Sequence, residues 1–385
     1  MNAPERVLKV INHEEPDRVP AFESAFTNNT IMEHYGIKTR ALSSQIPKIG
    51  DKMLKKLEAS KKILKMGMKK LYEFHRRASL DIVPSICSLF PRTVLEKGVF
   101  IDECGRVMRT ELYEKDGTMI LGYIEGHFKS FEDYESWEPP DPHWKARLNS
   151  FLAGRELQQE KMNNEIFSIP STGSLMEVSW EGFGLELFSR ILARPKQAKR
   201  VFDDRGKFTV ELVKILAEND AQLILLWDDF GYKNGLFMSP RYYRKYIFPW
   251  LKQICDAAHK QDCKILLHSD GDLIEIFEDI INSGVDVLNP IESTTANPEY
   301  DIFKLNEKYG DKITFSGNLS PIMLAMGEIS EIESMAKRLI RELAPGGGYI
   351  FGSGHSINPA IPLEKFEAMQ NIKRKYGNYP IKVPN

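Results

Sequence analysis

The sequence predicts an α/β fold: a single TIM (β/α)8 barrel running through residues 1–385, with an inserted β-hairpin subdomain at about 90–164. Three observations support this. Short β-rich runs alternate with helical patterns through the second half, which implies a parallel sheet covered by helices. Eight such runs can be counted, the number that closes a barrel whose interior side chains can fill. Each run ends in polar residues, where the open mouth of such a barrel would lie.

The runs that read as strands are 18–23, 80–85, 165–171, 223–228, 263–268, 285–290, 313–317 and 348–352. Between them, Ser239 is placed to cap a helix with Pro240 in its first turn, and Pro249 should kink that helix. Asp272 is placed to cap the next helix, with Leu273, Ile276, Phe277 and Ile280 as its apolar stripe and Gly284 at its end. The insertion contains β-like pieces near 106–113 and 118–128 and closes on Glu138-Pro-Pro-Asp-Pro142, a stiff surface connection. Residues 48–70 carry nine lysines among apolar residues at helical spacing. That pattern is a solvated helix face or a docking face for an acidic partner protein.

Composition narrows the function classes. Apolar residues make up 42% of the chain and charged residues 28%, enough to bury a large core. The formal charge is -2, so no global field draws in nucleic acid or an anionic membrane. Residues 1–10 lack the apolar core of a signal peptide and no run is long enough to span a bilayer, so the expected location is cytoplasmic. Cys87, Cys104, Cys255 and Cys263 include no C-x-x-C pair, and reduced, buried thiols are expected.

The strand ends supply the candidate site. They offer Glu23, Ser171 and Thr172, the pair Asp228 and Asp229, His268 with Asp270, then Glu292, Asn318 and His355. His268 and Asp270 stand two residues apart at one strand end, so they leave it on the same side. With His355 from another strand they make two imidazoles and a carboxylate, a donor set that suits zinc or ferrous iron. Asp228, Asp229 and His268 are the catalytic candidates. Glu23, Trp227, Glu292 and Asn318 are the candidates for substrate contact. The glycine run 346–348 precedes a strand instead of opening a helix, so it is no phosphate cradle.

These residues resemble the uroporphyrinogen decarboxylase superfamily, and within it the corrinoid-dependent methyltransferase branch. The likeness rests on residues 6–20, Trp227-Asp-Asp-Phe-Gly231, Ser239-Pro240, Leu267-His-Ser-Asp-Gly271, 286–292, Phe315-Ser-Gly-Asn318 and 347–369. The decarboxylases carry an arginine-rich R-Q-A-G-R motif after the first strand; here residues 21–29 contain no arginine. The thiol-methylating members bind zinc through His-x-Cys and a second cysteine, positions that fall on His268, Asp270 and His355. Both soft sulfur ligands are thus replaced by harder ones, which suits oxygen chemistry.

The resemblance implies the first methyltransferase of an anaerobic O-demethylase. Such an enzyme moves a methyl group from a small methoxylated, aromatic donor to the cobalt of a partner corrinoid (cobalamin) protein, with Zn2+ as the candidate metal. A decarboxylase or lyase acting on a non-porphyrin substrate and a non-catalytic ligand-binding member are the alternatives, and homodimer formation is left open.

Overall fold

The computed structural model describes residues 1–39 and 61–384. Its centre is a curled, seven-stranded parallel sheet in the order β1 (Ile82–Ile86), β6 (Phe167–Gly173), β7 (Leu223–Trp227), β10 (Lys264–His268), β11 (Val287–Asn289), β12 (Thr314–Leu319) and β13 (Tyr349–Ser353). Seven of the eight expected strands are therefore regular strands, with ends displaced by one or two residues. The sheet is not closed by an eighth.

The expected first strand, 18–23, is reduced to isolated bridges. Pro20 has no N–H to give to a ladder. The segment nevertheless lies between the two sheet edges. The Phe22 N–H donates to Phe351 and the Phe351 N–H to Pro20 on the β13 side, while Asp81 donates to Ala21 on the β1 side. The Ala21 N–H leaves the ladder altogether and donates to the Asp81 carboxylate at 2.8 Å.

Alternation within the strands separates two cores. Leu223, Leu225, Leu266, Val287 and Ile350 point inward, where Val7, Val10 and Ile11 of the helix Ala3–Ile11 pack beneath them. Ile224, Leu226, Ile265, Leu267 and Leu288 point outward into the helical layer. This two-residue period decides which polar residues at the strand ends reach the mouth.

The insertion is larger than a hairpin. It forms a four-stranded antiparallel sheet of β2 (Pro91–Glu96), β3 (Val99–Asp102), β4 (Arg106–Leu112) and β5 (Met119–Gly126), followed by the helix Phe131–Ser136. The helix Lys145–Lys161, within the expected bounds of about 90–164, packs on β1 and β6 in the outer layer. The turn joining β4 to β5 lies on the helix Asn29–His34, where Asn29 donates its N–H to Thr118 Oγ1 at 2.9 Å.

Other local expectations are modified. Around Pro249 the chain passes from Pro240–Tyr242 through a wide π turn, Tyr243–Ile247, into the helix Phe248–His259, since proline removes an N–H that regular helix requires. Ser239 precedes that helix but its side chain makes no capping bond. Asp272 accepts the Ile274 N–H at 3.1 Å, opening a 3-10 turn, Ile274–Ile276, before the helix Phe277–Asn282. Gly284 follows at φ +94°. All four cysteines are free and buried. Much of the 48–70 lysine segment lies outside the described residues; from Lys61 onward it belongs to the helix Lys61–Ala78. Among the described residues no helix is long and apolar enough to cross a membrane.

Asp81 ties this arrangement together. Fully buried, it receives Arg6 at 2.7 Å and Arg18 at 2.8 Å, besides the Ala21 N–H. Asp81→Ala should lower unfolding free energy by about 3–5 kcal/mol, because two cations lose a buried partner. Asp17→Ala removes a partner of Arg6 that is 39% exposed and should cost below about 1 kcal/mol. Urea unfolding of both variants measures the contrast.

Candidate functional site

The mouth of the sheet is built by strand parity. Trp227, His268 and Asn289 continue the inward rows of Leu225, Leu266 and Val287, and they sit side by side in register on β7, β10 and β11. The Trp227 ring meets the His268 ring edge-on with centroids 4.9 Å apart. Asn289 donates through Nδ2 to the Ser316 carbonyl at 3.0 Å, which leaves its Oδ1 facing His268 Nδ1 at 2.8 Å. His268 therefore carries a hydrogen on Nδ1, and Nε2 is directed to the mouth.

Asp270 lies opposite that nitrogen. Its Oδ1 is 3.9 Å from His268 Nε2 and has no hydrogen-bond partner, and its Oδ2 pairs with His355 Nε2 at 3.2 Å. Burial opposes ionisation of Asp270, but the hydrogen bond from His355 and the nearby His268 outweigh it and hold the carboxyl below its ordinary value. The same bond raises His355 above the ordinary histidine value. Gly271 makes the turn after Asp270 possible. Its φ is +99°, and a Cβ there would fall 2.4 Å from the backbone of Gly231 in the small hairpin of β8 (Gly231–Tyr232) and β9 (Gly235–Leu236).

Ligand atoms of Asp229, His268 and Asp270 lie within 4.8 Å of one another. This set differs from the expected His268, Asp270 and His355, because Asp229 enters the group while the half-exposed His355 meets it through Asp270, its ring centroid 6.5 Å from that of His268. One imidazole and two carboxylates, with an orphaned buried oxygen on Asp270, form a donor set that fits Zn2+ or another divalent ion preferring oxygen and nitrogen.

Adjacent aspartates have opposite surroundings. Asp228 faces outward, fully buried, and its carboxylate accepts the N–H groups of Leu175, Met176 and Glu177 at 2.7–2.9 Å. It thereby holds the start of the helix Glu177–Phe183 against β7. Burial pushes this carboxyl up to about 7 despite those three donors. Asp229 faces inward and accepts the Asp270 N–H at 2.9 Å. Burial and repulsion from Asp270 raise its carboxyl above the ordinary value.

The other expected residues are distributed around the rim. Glu292 accepts the Gly271 N–H at 2.8 Å and the Thr294 hydroxyl. Asn318 is buried with Oδ1 unpartnered. Glu23 is also buried; one carboxylate oxygen accepts the Ser353 N–H and hydroxyl and the other has no partner. Ser171 and Thr172 are engaged with the β1 side, through Ser85 and Ser88.

Sequence reasoning missed Glu177, Glu181, Arg106 and Asn289. Arg106, brought by β4, pairs with Asp102 at 2.6 Å and with Glu181 at 2.8 Å, and lies 3.7 Å from Glu177. Burial, then the nearby Asp229 and Glu181, raise Glu177 well above the ordinary carboxylate value. The i, i+4 pair Glu177 and Glu181 just beyond a strand end was a readable signal. Arg106 comes from the insertion, and its approach was not readable.

Residues 107–376 match the uroporphyrinogen decarboxylase (URO-D) family, well over half of the length. The chain belongs to the URO-D family. A uroporphyrinogen decarboxylase of Coxiella burnetii is 29% identical over 174 residues, 43% of this chain and 45% of that enzyme. One from Alkalilimnicola ehrlichii is 25% identical over 254 residues, 63% of this chain and 65% of that enzyme. The alignment to the Coxiella enzyme thus spans less than half of its length. A methyltransferase from Methanosarcina mazei has the same fold: TM-score 0.67 at 17% identity, covering 97% of this chain and 99% of that one.

Two outcomes are expected for this URO-D family site. Asn289→Leu should weaken zinc binding roughly 10–100-fold in a calorimetric titration, because His268 loses the acceptor that orients its ring. Glu23 is raised by burial to about 7 from an ordinary 4.5, so the folded state holds a proton that the unfolded state releases, and its contribution to stability falls as pH rises from about 4.5 to 7. Buried Lys373, lowered to about 7, changes above that window. Glu23→Gln should therefore gain stability relative to wild type across pH 4.5–7, as read by urea midpoints.

Proposed function

We propose that this URO-D family member is a methyltransferase that takes a methyl group from a small methoxylated aromatic donor and passes it to the cobalt of a corrinoid held by a separate partner protein. The observation that carries this reading is the donor set at the mouth: one imidazole and two carboxylates, where thiol-methylating relatives have thiolates, within a rim rich in carboxylates. That rim suits a neutral, oxygen-bearing donor. It would repel a tetrapyrrole carrying many carboxylates, which also finds no arginine along residues 21–29. The likeness in fold to a methyltransferase supports the same direction.

In the proposed step the reduced cobalt of the partner corrinoid supplies the electron pair for the new bond to the methyl carbon as the methyl–oxygen bond breaks, and the pair of that broken bond stays on the donor oxygen. A Zn2+ ion held by Asp229, His268 and Asp270 would supply Lewis acidity for that oxygen. Asp229 and His268 face the place where the charge develops, and Asp228 positions them by clamping the start of the helix Glu177–Phe183. His355 keeps Asp270 ionised. Trp227 offers a ring edge beside His268, and Glu23, Glu292 and Asn318 are the further residues proposed to contact the donor.

An anaerobic assay with reduced corrinoid protein and a panel of aryl methyl ethers, methylamines and methyl thiols tests this. The ethers should be demethylated only when the corrinoid protein is present, and His268→Ala or Asp270→Ala should reduce turnover by roughly 100-fold or more with little change in Tm. Release of carbon dioxide from a carboxylated substrate without corrinoid would assign a lyase instead. Full activity in both variants would remove the site from the mechanism.

A further inference from the structure

Four arginines are buried among the described residues: Arg6, Arg106, Arg147 and Arg205. Three of them have a carboxylate close by, Arg6 at 2.7 Å from Asp17 and Asp81, Arg106 at 2.6 Å from Asp102, and Arg147 at 2.6 Å from Glu103. Arg205 is 5% exposed and no carboxylate among the described residues lies within ion-pairing distance of it. Its guanidinium makes one hydrogen bond, from Nη2 to the Cys104 carbonyl at 2.9 Å, and its enclosed Nε has no acceptor. A buried cation without an anion is costly, and proteins usually pair it.

The space beside Arg205 has the shape of a ligand site. A cleft of about 330 Å³ separates the outer end of the insertion from the helix Pro195–Glu218, with Arg205 in its wall. Tyr134, Trp137 and Phe208 line it, and Pro139, Pro140 and Pro142 give one side a rigid apolar surface. Arg200 and Lys207 are exposed at its edge. Of the two acids in the wall, Asp204 is already bonded to Arg200 at 2.7 Å and to the Tyr134 hydroxyl at 3.0 Å, and Glu135 is turned to solvent. The guanidinium lies 5.9 Å from the centre of the Tyr134 ring.

We propose that this cleft binds a planar organic carboxylate, an aromatic acid, whose carboxylate pairs with Arg205 and whose ring lies among Tyr134, Trp137 and Phe208. A guanidinium cation attracts a carboxylate through charge and hydrogen bonding together, and the volume is that of a small-ligand pocket. The site is separate from the barrel mouth: the helix carrying Arg205 packs outside the sheet, and Arg205 reaches the back of the β3–β4 turn whose Arg106 faces Glu181. The proposal does not depend on the methyl-transfer reading.

Calorimetric titration of the full chain with benzoate, benzyl alcohol and inorganic phosphate tests it. Benzoate should bind saturably at one site and benzyl alcohol should not. Arg205→Met should weaken benzoate at least about tenfold, Lys207→Glu should weaken it several-fold, and His268→Ala should leave it unchanged. Because Arg205→Met breaks no ion pair, its Tm should fall less than that of Arg147→Met, which loses the bond to Glu103. Absence of saturable benzoate binding, equal binding of benzyl alcohol or of phosphate, or loss of binding in His268→Ala would each overturn the assignment. So would a fall in Tm for Arg205→Met comparable to that for Arg147→Met, which would give Arg205 a structural role. Lys207→Glu, at an exposed position, reads the cleft even if Arg205→Met does not fold.

Discussion

A single buried carboxylate, Asp81, sets the geometry on which the sheet depends. Its two oxygens receive Arg6, Arg18 and the Ala21 N–H, all within 2.9 Å. All three donors come from the first 21 residues, so one side chain at the start of β1 holds the N-terminal segment in the gap that a regular eighth strand would fill. Lys373, nearby and bonded to the Ser79 carbonyl, adds a buried amine to the same region, and burial lowers it to about 7. The net stability such a buried ion network adds is small, because desolvation consumes much of its attraction, whereas removing one partner leaves an uncompensated charge. The consequence for the site is direct: two residues beyond Ala21, Glu23 is delivered to Ser353 at the end of β13.

The second constraint is the period of the strand. Asp228 and Asp229 are adjacent and chemically identical, yet one is enclosed by backbone N–H groups behind the sheet and the other stands in front of it beside His268. The same alternation brings Trp227, His268 and Asn289 into one inward row. Asn289, bonded to both Ser316 and His268, converts that row into a defined imidazole orientation. The ligand-capable atoms therefore come from two neighbouring strand ends, β7 and β10, with His355 supporting them from β13.

Charge completes the picture. Asp229, Asp270, Glu177, Glu181 and Glu292 crowd the mouth, and Arg106 from the inserted sheet is set against Glu181 and Glu177 while His355 meets Asp270. The insertion thus contributes to the electrostatics of the mouth as well as enlarging the protein, and its outer end forms the separate aromatic cleft at Arg205.

The sequence by itself determined the parallel α/β class, seven strand positions, and the proximity of His268 and Asp270 at one strand end. Those features follow from short-range periodicity, which is written in consecutive residues. Only the tertiary structure decided that residues 18–23 form no regular strand, since that depends on Asp81 capturing the Ala21 N–H across 60 positions. It also decided that Asp229 joins His268 and Asp270 while His355 meets the group through Asp270, and that Arg106 crosses from the insertion to Glu181, 75 positions away. Ion pairs and ligand groups between residues so far apart leave no local pattern, because the chain must first be folded for their distances to exist.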